Sequence, residues 1–174
     1  MFSNNRTGSA VVDVTIAAAI IVFVILPVFS SIVEKYILLN KAQIIKDAID
    51  MTNISVYNAM ITGSLGKETV DIEYAEAEKI FRDFLSINLK LEADLTPTPK
   101  SIADSKVAVD SLMIYISGFP CICPDGVSIS RPAVHSSVNV PIKPTLYRQL
   151  ILDALGKDYI ILKVHVDSDI PLNN

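Results

Sequence analysis

An uninterrupted stretch of 20 residues without a charged side chain, from Val14 to Val33, most strongly limits what this chain can fold into. A helix of 20 residues rises about 30 Å, which is roughly the hydrocarbon thickness of a bilayer. The stretch is therefore predicted to be a membrane-spanning helix rather than a core helix. An acidic residue, Asp13, immediately precedes it. Because a carboxylate inside a bilayer costs roughly 2.5–3.5 kcal/mol, an acid here indicates a function and a neutralising partner.

The residues that lead into this stretch form a second pattern: a basic residue, a glycine, and an acid five residues after the glycine. The segment is Arg6-Thr7-Gly8-Ser9-Ala10-Val11-Val12-Asp13, and it resembles the leader of type IV pilin-like proteins. In that family a prepilin peptidase cuts after the glycine, and the mature chain carries an acid, usually Glu, as its fifth residue. The resemblance implies a leader over residues 1–8, cleavage between Gly8 and Ser9, and pairing of Asp13 with the terminal amine of a neighbouring subunit.

Two other interpretations of this terminus stay open, an uncleaved signal anchor and a secretory signal peptide cut near Ser30 or Ser31. The signal peptide is disfavoured because its apolar core would exceed the usual ~7–15 residues. Positive charges do not fix the orientation, since Arg6 precedes the span and Lys35 and Lys41 follow it. The pilin resemblance implies a single-pass protein of the cell membrane or of an extracellular filament, with a cytoplasmic N-terminus and an extracytoplasmic head.

A helical pattern continues beyond the span. Apolar or small side chains, with one polar exception, recur at a four-three spacing at Leu38, Ala42, Ile45, Ile49, Thr52, Val56 and Ala59. No glycine interrupts the pattern before Gly63, so we predict one helix over residues 9–61, with the distal stripe packing against the chain's own domain. Pro27 removes one backbone hydrogen bond and is predicted to bend this helix within the membrane. Pilins commonly carry a helix-distorting proline in this region.

Residues 62–174 are predicted to form a head of α+β class behind the long helix. Within it, periodicity and turn residues predict an amphipathic helix at 69–85 with an acidic solvent face, strands at 87–91, 106–117, 134–142 and 158–167, a loop at 96–105, a hairpin tip at 118–126, and a short helix at 145–155. The strand at 134–142 is predicted to be half-buried. Thr145 is the predicted cap of the short helix and Gly156 its stop. The predicted architecture is a transmembrane helix that continues into a spine packed by a small antiparallel sheet with one or two short helices.

The C-terminal order of elements adds to the resemblance. A strand containing VNVPIKP, a short apolar helix, a glycine and a closing alternating strand look like TadE-type pseudopilins of tight-adherence pilus systems. The resemblance covers most of the chain except residues 62–100. It implies a pilin-like subunit or minor pseudopilin whose partners are membrane lipid, other pilin subunits, the prepilin peptidase and the pilus assembly machinery. The alternative is an uncleaved, signal-anchored interaction protein of a conjugation or secretion complex.

The thiols leave a further choice. Cys121 and Cys123 are the only cysteines, and both an intrachain bridge and free or intermolecular thiols stay open, since a Cys-x-Cys ring is small and strained. A Cys₂His₂ zinc site that adds His135 and His165 matches no familiar zinc spacing. The two histidines are instead predicted to lie on solvated strand faces. The sequence therefore predicts no metal and no cofactor, and a membrane-tethered redox or metal protein is kept as a third hypothesis.

Other function classes find little support in the sequence. There is no Gly-x-Ser-x-Gly elbow, P-loop or HExxH motif, so the chain is predicted not to be an enzyme. A net charge of −4 without a basic stripe argues against nucleic-acid binding. The sequon Asn53-Ile54-Ser55 is discounted as a glycosylation site because it lies on a predicted helix.

Overall fold

The computed structural model describes residues 6–64, 74–144 and 146–170 of the chain. The elements are α1 (Arg6–Ile20), a π-helical segment (Ile21–Ile25), α2 (Leu26–Ser64), α3 (Tyr74–Leu89), β1 (Ala108–Tyr115), β2 (Cys121–Ile122), β3 (Ser128–Ile129), β4 (Ala133–Ile142), α4 (Leu146–Ala154) and β5 (Ile160–Asp169). A long apolar helix is thus followed by a small antiparallel sheet and a short helix, which confirms the α+β class.

The N-terminal helix is continuous except for a change of hydrogen bonding ahead of Pro27. The Leu26 amide donates to the carbonyl of Ile21, the i to i−5 bond of a π turn. Pro27 has no N–H, so the carbonyl of Phe23 lacks its usual intrahelical donor, and a local rearrangement of this kind is expected. Ser31 Oγ donates to the Pro27 carbonyl at 2.8 Å. A π segment therefore lies immediately before Pro27, and the bend predicted there stays a prediction.

The distal half of α2 forms one wall of the head. Its stripe faces inward, with Ile45, Ile49, Thr52 and Val56 fully buried. These side chains pack against α3 and against the sheet, chiefly β5. Phe81 of α3 is the largest fully buried side chain in this core. The prediction that the stripe packs against the chain's own domain is confirmed, and the spine is part of the head's core.

Helix α3 extends four residues further toward the C-terminus than its sequence pattern indicates. The prediction of a strand at 87–91 is wrong, because α3 continues to Leu89 and Leu91 makes only an isolated bridge with Pro97. The helix ends at Lys90, which adopts a left-handed φ of 57°. The Leu91 amide then donates to the Ser86 carbonyl at 2.7 Å and the Lys90 amide to the Ile87 carbonyl at 3.2 Å, the two bonds of a Schellman motif. The sequence did not predict this helix end, because a lysine occupies the position where glycine is usual.

The main sheet has the order β1-β4-β5, with all neighbours antiparallel. Strand β4 is central, and the prediction that it is half-buried is wrong because both of its faces are covered. Alternate residues such as Val138 and Val140 belong to the core shared with α2. The opposite face, here called the outer face, is covered by the β1–β4 connection, which carries the β2–β3 hairpin and packs Cys123 and Ile129 against Ala133.

Helix α4 ends as predicted at Gly156, which has a φ of +66°, and the Lys157 amide donates to the Leu152 carbonyl at 2.9 Å. Its predicted cap, Thr145, lies outside the described residues. At the other end of α4, Arg148 forms an ion pair with Glu34 of α2 at 3.9 Å. Glu34 is only 3% exposed and immediately follows the apolar stretch. The docking of α4 therefore places this part of the head at the distal end of the predicted span.

Candidate functional site

The first candidate site is the exposed apolar part of the N-terminal helix. None of the side chains from Ala10 to Val33 is buried, and Phe23 is 78% exposed. The helix Ala10–Asn58 is, by length and composition, long and apolar enough to cross a membrane. In water such a surface is unfavourable by about 25 cal/mol per Å² of apolar area. Lipid or other apolar helices are the environments in which this part of the helix is stable.

The residues implied in processing and assembly lie at the start of this helix. The backbone of Gly8 and Ser9 belongs to α1, and residues 1–5 of the implied leader lie outside the described residues. Asp13 is exposed, four residues beyond Ser9, or about 6 Å along the axis. Within the described part of the chain, its carboxylate receives no hydrogen bond and no ion pair. A partner for Asp13 from outside the chain is therefore compatible with the structure.

The second candidate site is a polar cluster on the outer face of the sheet. In the β4–β5 register, His135 lies opposite Asp167 and Ser137 lies opposite His165. Directly opposed residues share a face, so both histidines and Asp167 meet on the outer face. Cys123 reaches the same place from the turn between β2 and β3. One donor atom from each of Cys123, His135, His165 and Asp167 lies within 4.8 Å of all the others.

Asp167 is the centre of this cluster. Its Oδ1 lies 2.7 Å from His135 Nδ1 and its Oδ2 lies 2.7 Å from His165 Nε2. Cys123 Sγ is 3.8 Å from both His165 Nε2 and Asp167 Oδ2. The two imidazole rings are tilted against each other with centroids 5.0 Å apart. Sulfur, imidazole nitrogen and carboxylate oxygen are the donors that zinc and similar ions take in proteins.

The surroundings of the cluster are also ordered by hydrogen bonds. His135 Nε2, the nitrogen that does not face Asp167, is 3.1 Å from Ser111 Oγ. The Val127 amide donates to Cys123 Sγ at 3.4 Å. Ser137 Oγ is fully buried on the same face and has no hydrogen-bond partner among the described residues. The His135 imidazole and the Cys123 sulfur therefore each have a further hydrogen-bond partner outside the four donors. The buried Ser137 hydroxyl has none among the described residues.

A cation, Lys163, lies at the edge of the cluster. Lys163 Nζ lies 3.0 Å from Asp125 and 3.2 Å from Asp110. These hydrogen bonds raise the pKa of Lys163, with the bond to Asp125 contributing most. The bond from Lys163 in turn lowers the pKa of Asp125. Lys163 thus forms ion pairs with Asp125 and Asp110 rather than with Asp167.

Tyr115 packs edge-on against the His135 ring. Burial is the largest cause that raises the pKa of Tyr115, and the neighbouring Cys121, Cys123 and Asp167 raise it further.

The cluster corrects several expectations from the sequence. His135 is fully buried and His165 is partly buried, so the prediction of solvated histidines is wrong, most clearly for His135. Cys123 does meet both histidines, but Asp167 takes the place that the Cys₂His₂ hypothesis assigned to Cys121. Both cysteines are free thiols in the structure. The signal that could have revealed Asp167 is its i+2 spacing from His165 on an alternating strand, which places both on one face.

Comparisons of this chain with family models, curated proteins and solved structures found no match. What the chain itself defines is a small α+β head on a long helix whose N-terminal half is apolar and exposed. It also carries a thiol, two imidazoles and a carboxylate gathered on the outer face of the head.

Proposed function

We propose that the chain is a pilin-like structural subunit or minor pseudopilin for assembly of a type IV, Tad-like pilus. A prepilin peptidase removes residues 1–8, and the apolar helix holds the subunit in the cell membrane with its N-terminus cytoplasmic and its head outside. An assembly machine then moves the subunit into a filament. There the apolar surface of the helix exchanges lipid for the helices of neighbouring subunits.

The observation that carries this proposal is the division of one long helix into two halves with different surroundings. The distal half is built into the head through Ile45, Ile49 and Val56, whereas no side chain from Ala10 to Val33 is buried. A helix that served only the fold of the head would not need this second half. An exposed apolar half-helix is suited to packing with other copies, because a filament outside the bilayer would bury this apolar area against neighbouring helices instead of exposing it to water.

Asp13 would set the axial position of each helix relative to its neighbour. Cleavage after Gly8 creates a free amine at Ser9, and an amine has the charge that a carboxylate at the membrane boundary needs. The structure leaves the Asp13 side chain exposed and, within the described residues, without a partner. Pairing of Asp13 with the amine of a neighbouring subunit would fix the axial offset between two helices that apolar contacts alone leave free to slide.

The position of α4 supports a head that lies close to the bilayer. Arg148 contacts Glu34, the first residue after the apolar stretch. Three apolar side chains of or next to α4 are more than 60% exposed: Leu150, Ile151 and Leu155. Apolar groups on a helix near a membrane surface are favoured at the boundary between headgroups and acyl chains. The stored subunit would therefore rest on the outer leaflet through this helix.

The cleavage is tested by the mass of the mature chain. In cells that contain a prepilin peptidase, the purified protein is expected to begin at Ser9. A Gly8→Leu variant should keep its leader, because a bulky side chain beside the scissile carbonyl hinders the protease, whereas a Ser3→Leu variant should be cut normally. Wild-type protein that still begins at Met1 would contradict the proposal and identify an uncleaved signal anchor instead.

The role of Asp13 is tested by comparing Asp13→Ala with Asp13→Glu. Both variants should be cleaved, since the change lies beyond the scissile bond. Filaments, viewed by electron microscopy of sheared cell-surface material, should be lost or strongly reduced in Asp13→Ala. They should persist in Asp13→Glu, which keeps the charge. Normal filaments from Asp13→Ala would remove the charge pairing from the proposal.

A further inference from the structure

The second candidate site carries an inference that does not depend on filament assembly. We infer that the head binds one divalent transition-metal ion of the zinc class through Cys123 Sγ, His135 Nδ1, His165 Nε2 and the Asp167 carboxylate. The four donors come from two neighbouring strands and one turn, so the head is held together by the ion at a point where the hairpin meets the sheet.

The spacing of the donors is close to what such an ion requires. With Zn–S near 2.3 Å and Zn–N or Zn–O near 2.0–2.1 Å, a tetrahedron places sulfur about 3.6 Å from the other donors and nitrogen about 3.3 Å from oxygen. Cys123 Sγ is 3.8 Å from both His165 Nε2 and Asp167 Oδ2. The two histidine–aspartate pairs are at 2.7 Å. Each histidine contacts a different oxygen of Asp167, so the pair at the oxygen that binds the ion must open by about 0.6 Å to make room for it.

The charges of the donors also suit a dication. A thiolate from Cys123 and the carboxylate of Asp167 together carry two negative charges, and two neutral imidazoles complete the set. Cys123 and His135 are at most 3% exposed. A buried thiolate beside the partly buried carboxylate of Asp167 is unfavourable without a cation. The cation at the rim, Lys163, is engaged by Asp125 and Asp110 instead.

The contacts around the donors are those that orient metal ligands. Ligating histidines usually bond through their second nitrogen to an outer partner, which fixes the ring. His135 does so through Nε2, which lies 3.1 Å from Ser111 Oγ and 3.8 Å from the Asp125 carboxylate. The amide of Val127 donates to the Cys123 sulfur at 3.4 Å and holds it in place. These contacts leave His135 Nδ1 and Cys123 Sγ directed to the same point, at Asp167.

Ser137 is a separate indication that the outer face holds more than hydrogen bonds among its own side chains. It lies between Ser111 and His165 in the register of the sheet, so its side chain shares the outer face with the donors. Its hydroxyl is fully buried and has no partner within the described residues. A buried hydroxyl without a partner is unfavourable, because it has lost its hydrogen bonds to water. The Ser137 hydroxyl therefore marks a polar position on this face that the described side chains do not satisfy.

The competing explanation is a hydrogen-bonded cluster without a metal. In that case His135 Nδ1–H and His165 Nε2–H both donate to Asp167, and Ser111 donates to His135 Nε2. This arrangement pairs both nitrogens of His135, but it leaves the Cys123 thiol only the 3.8 Å contacts with His165 and Asp167 for its own proton. The two explanations differ in whether the Cys123 sulfur is a ligand, and this difference can be measured directly.

The test uses the full chain without a histidine tag, in detergent micelles, with a non-thiol reductant and freed of metal by a chelator. Zinc is titrated against a chromophoric chelator, and Co²⁺ is added separately as a spectroscopic probe. We expect one tightly bound Zn²⁺ per chain. We also expect Co²⁺ to give visible bands of tetrahedral intensity and a thiolate-to-cobalt charge-transfer band in the near ultraviolet. Absence of stoichiometric zinc binding by the wild-type chain would overturn the inference without any variant.

The matched variants are Cys123→Ala and Cys121→Ala, the same change at a proposed ligand and at its neighbour outside the cluster. Cys123→Ala should abolish the charge-transfer band and weaken zinc binding by at least about tenfold. Cys121→Ala should leave both unchanged. Asp167→Asn should also weaken binding while keeping the shape of the side chain. Near-ultraviolet circular dichroism establishes that each variant is folded. Equal zinc binding by the two cysteine variants would mean that the ion binds elsewhere and would contradict the site.

Discussion

The side-chain amide of Asn53, on α2, donates a hydrogen bond to Ser168 Oγ on β5 at 2.9 Å. Its oxygen accepts a bond from Ser136 Oγ of β4 at 2.8 Å, and Ser168 Oγ in turn donates to Asp50 of the same helix. Asn53 is fully buried. One side chain of the spine thus bonds to both neighbouring strands of the sheet, and the register of the helix against the sheet is fixed by polar contacts as well as by apolar packing.

The first prediction concerns this buried amide. Asn53→Leu keeps the branched shape of the side chain but adds volume, and it removes the hydrogen bonds that Asn53 makes with the hydroxyls of Ser136 and Ser168. We expect the free energy of unfolding to fall by about 2–3 kcal/mol. The measurement is urea unfolding of the full chain in detergent, followed by circular dichroism. Asn40→Leu, an exposed position on the same helix, is the control and should change the stability by no more than about 0.5 kcal/mol. Equal effects of the two changes would contradict the interpretation.

The second prediction concerns the core between α2 and α3. Phe81 is fully buried, whereas Phe84 on the same helix is 37% exposed. Phe81→Ala should lower the free energy of unfolding by about 3–5 kcal/mol, because it removes the ring and leaves a cavity. Phe84→Ala should have an effect of about 1 kcal/mol or less. Unfolding of both variants by urea, with the wild type alongside, measures the difference. Similar losses would mean that α3 packs through another face.

The third prediction concerns the turn after α3. Thr96 Oγ1 donates to Asp94 Oδ1 at 2.6 Å and the Thr96 amide donates to it at 3.1 Å. Both bonds lower the pKa of Asp94, and the bond from the Thr96 side chain contributes most. A lowered folded-state pKa contributes stability above the unfolded value, near 3.9, and that stability is lost as the pH falls through the folded value. The turn should therefore loosen only below about pH 4.

Carbon-detected NMR titration of the Asp94 carboxyl group measures this pKa. We expect a value below that of an unperturbed aspartate in the wild type and a rise toward the ordinary value in Thr96→Val, which removes the largest cause. Thr98→Val is the control, because the Thr98 hydroxyl donates to the Lys90 carbonyl rather than to Asp94. An ordinary pKa in the wild type would contradict the hydrogen bonding of this turn.

Sequence patterns within single helices and strands were sufficient to predict much of the fold. The inward stripe of α2, the alternation of Val164 and Val166 on β5, and the stop of α4 at Gly156 were all predicted, because each depends on local periodicity or on one residue's backbone freedom. The end of α3 was not predicted, because Lys90 adopts the left-handed conformation that a glycine usually adopts at such a position. The sequence pattern of Asn53 indicated only a sequon, whereas its burial shows that no glycan can be attached in the folded head.

The sequence by itself determined that one helix is long and apolar enough to span a membrane and that a small α+β domain follows it. These conclusions depend on length, on uncharged composition and on periods of 3.6 and 2, which are properties of contiguous residues. The tertiary structure alone decided which polar residues meet. His135 and Cys123 are 12 positions apart and Asp167 lies 32 positions beyond His135, and only the pairing of β4 with β5 and the fold of the hairpin bring them together. Contacts across such distances depend on strand register and layer order, which local periodicity does not encode.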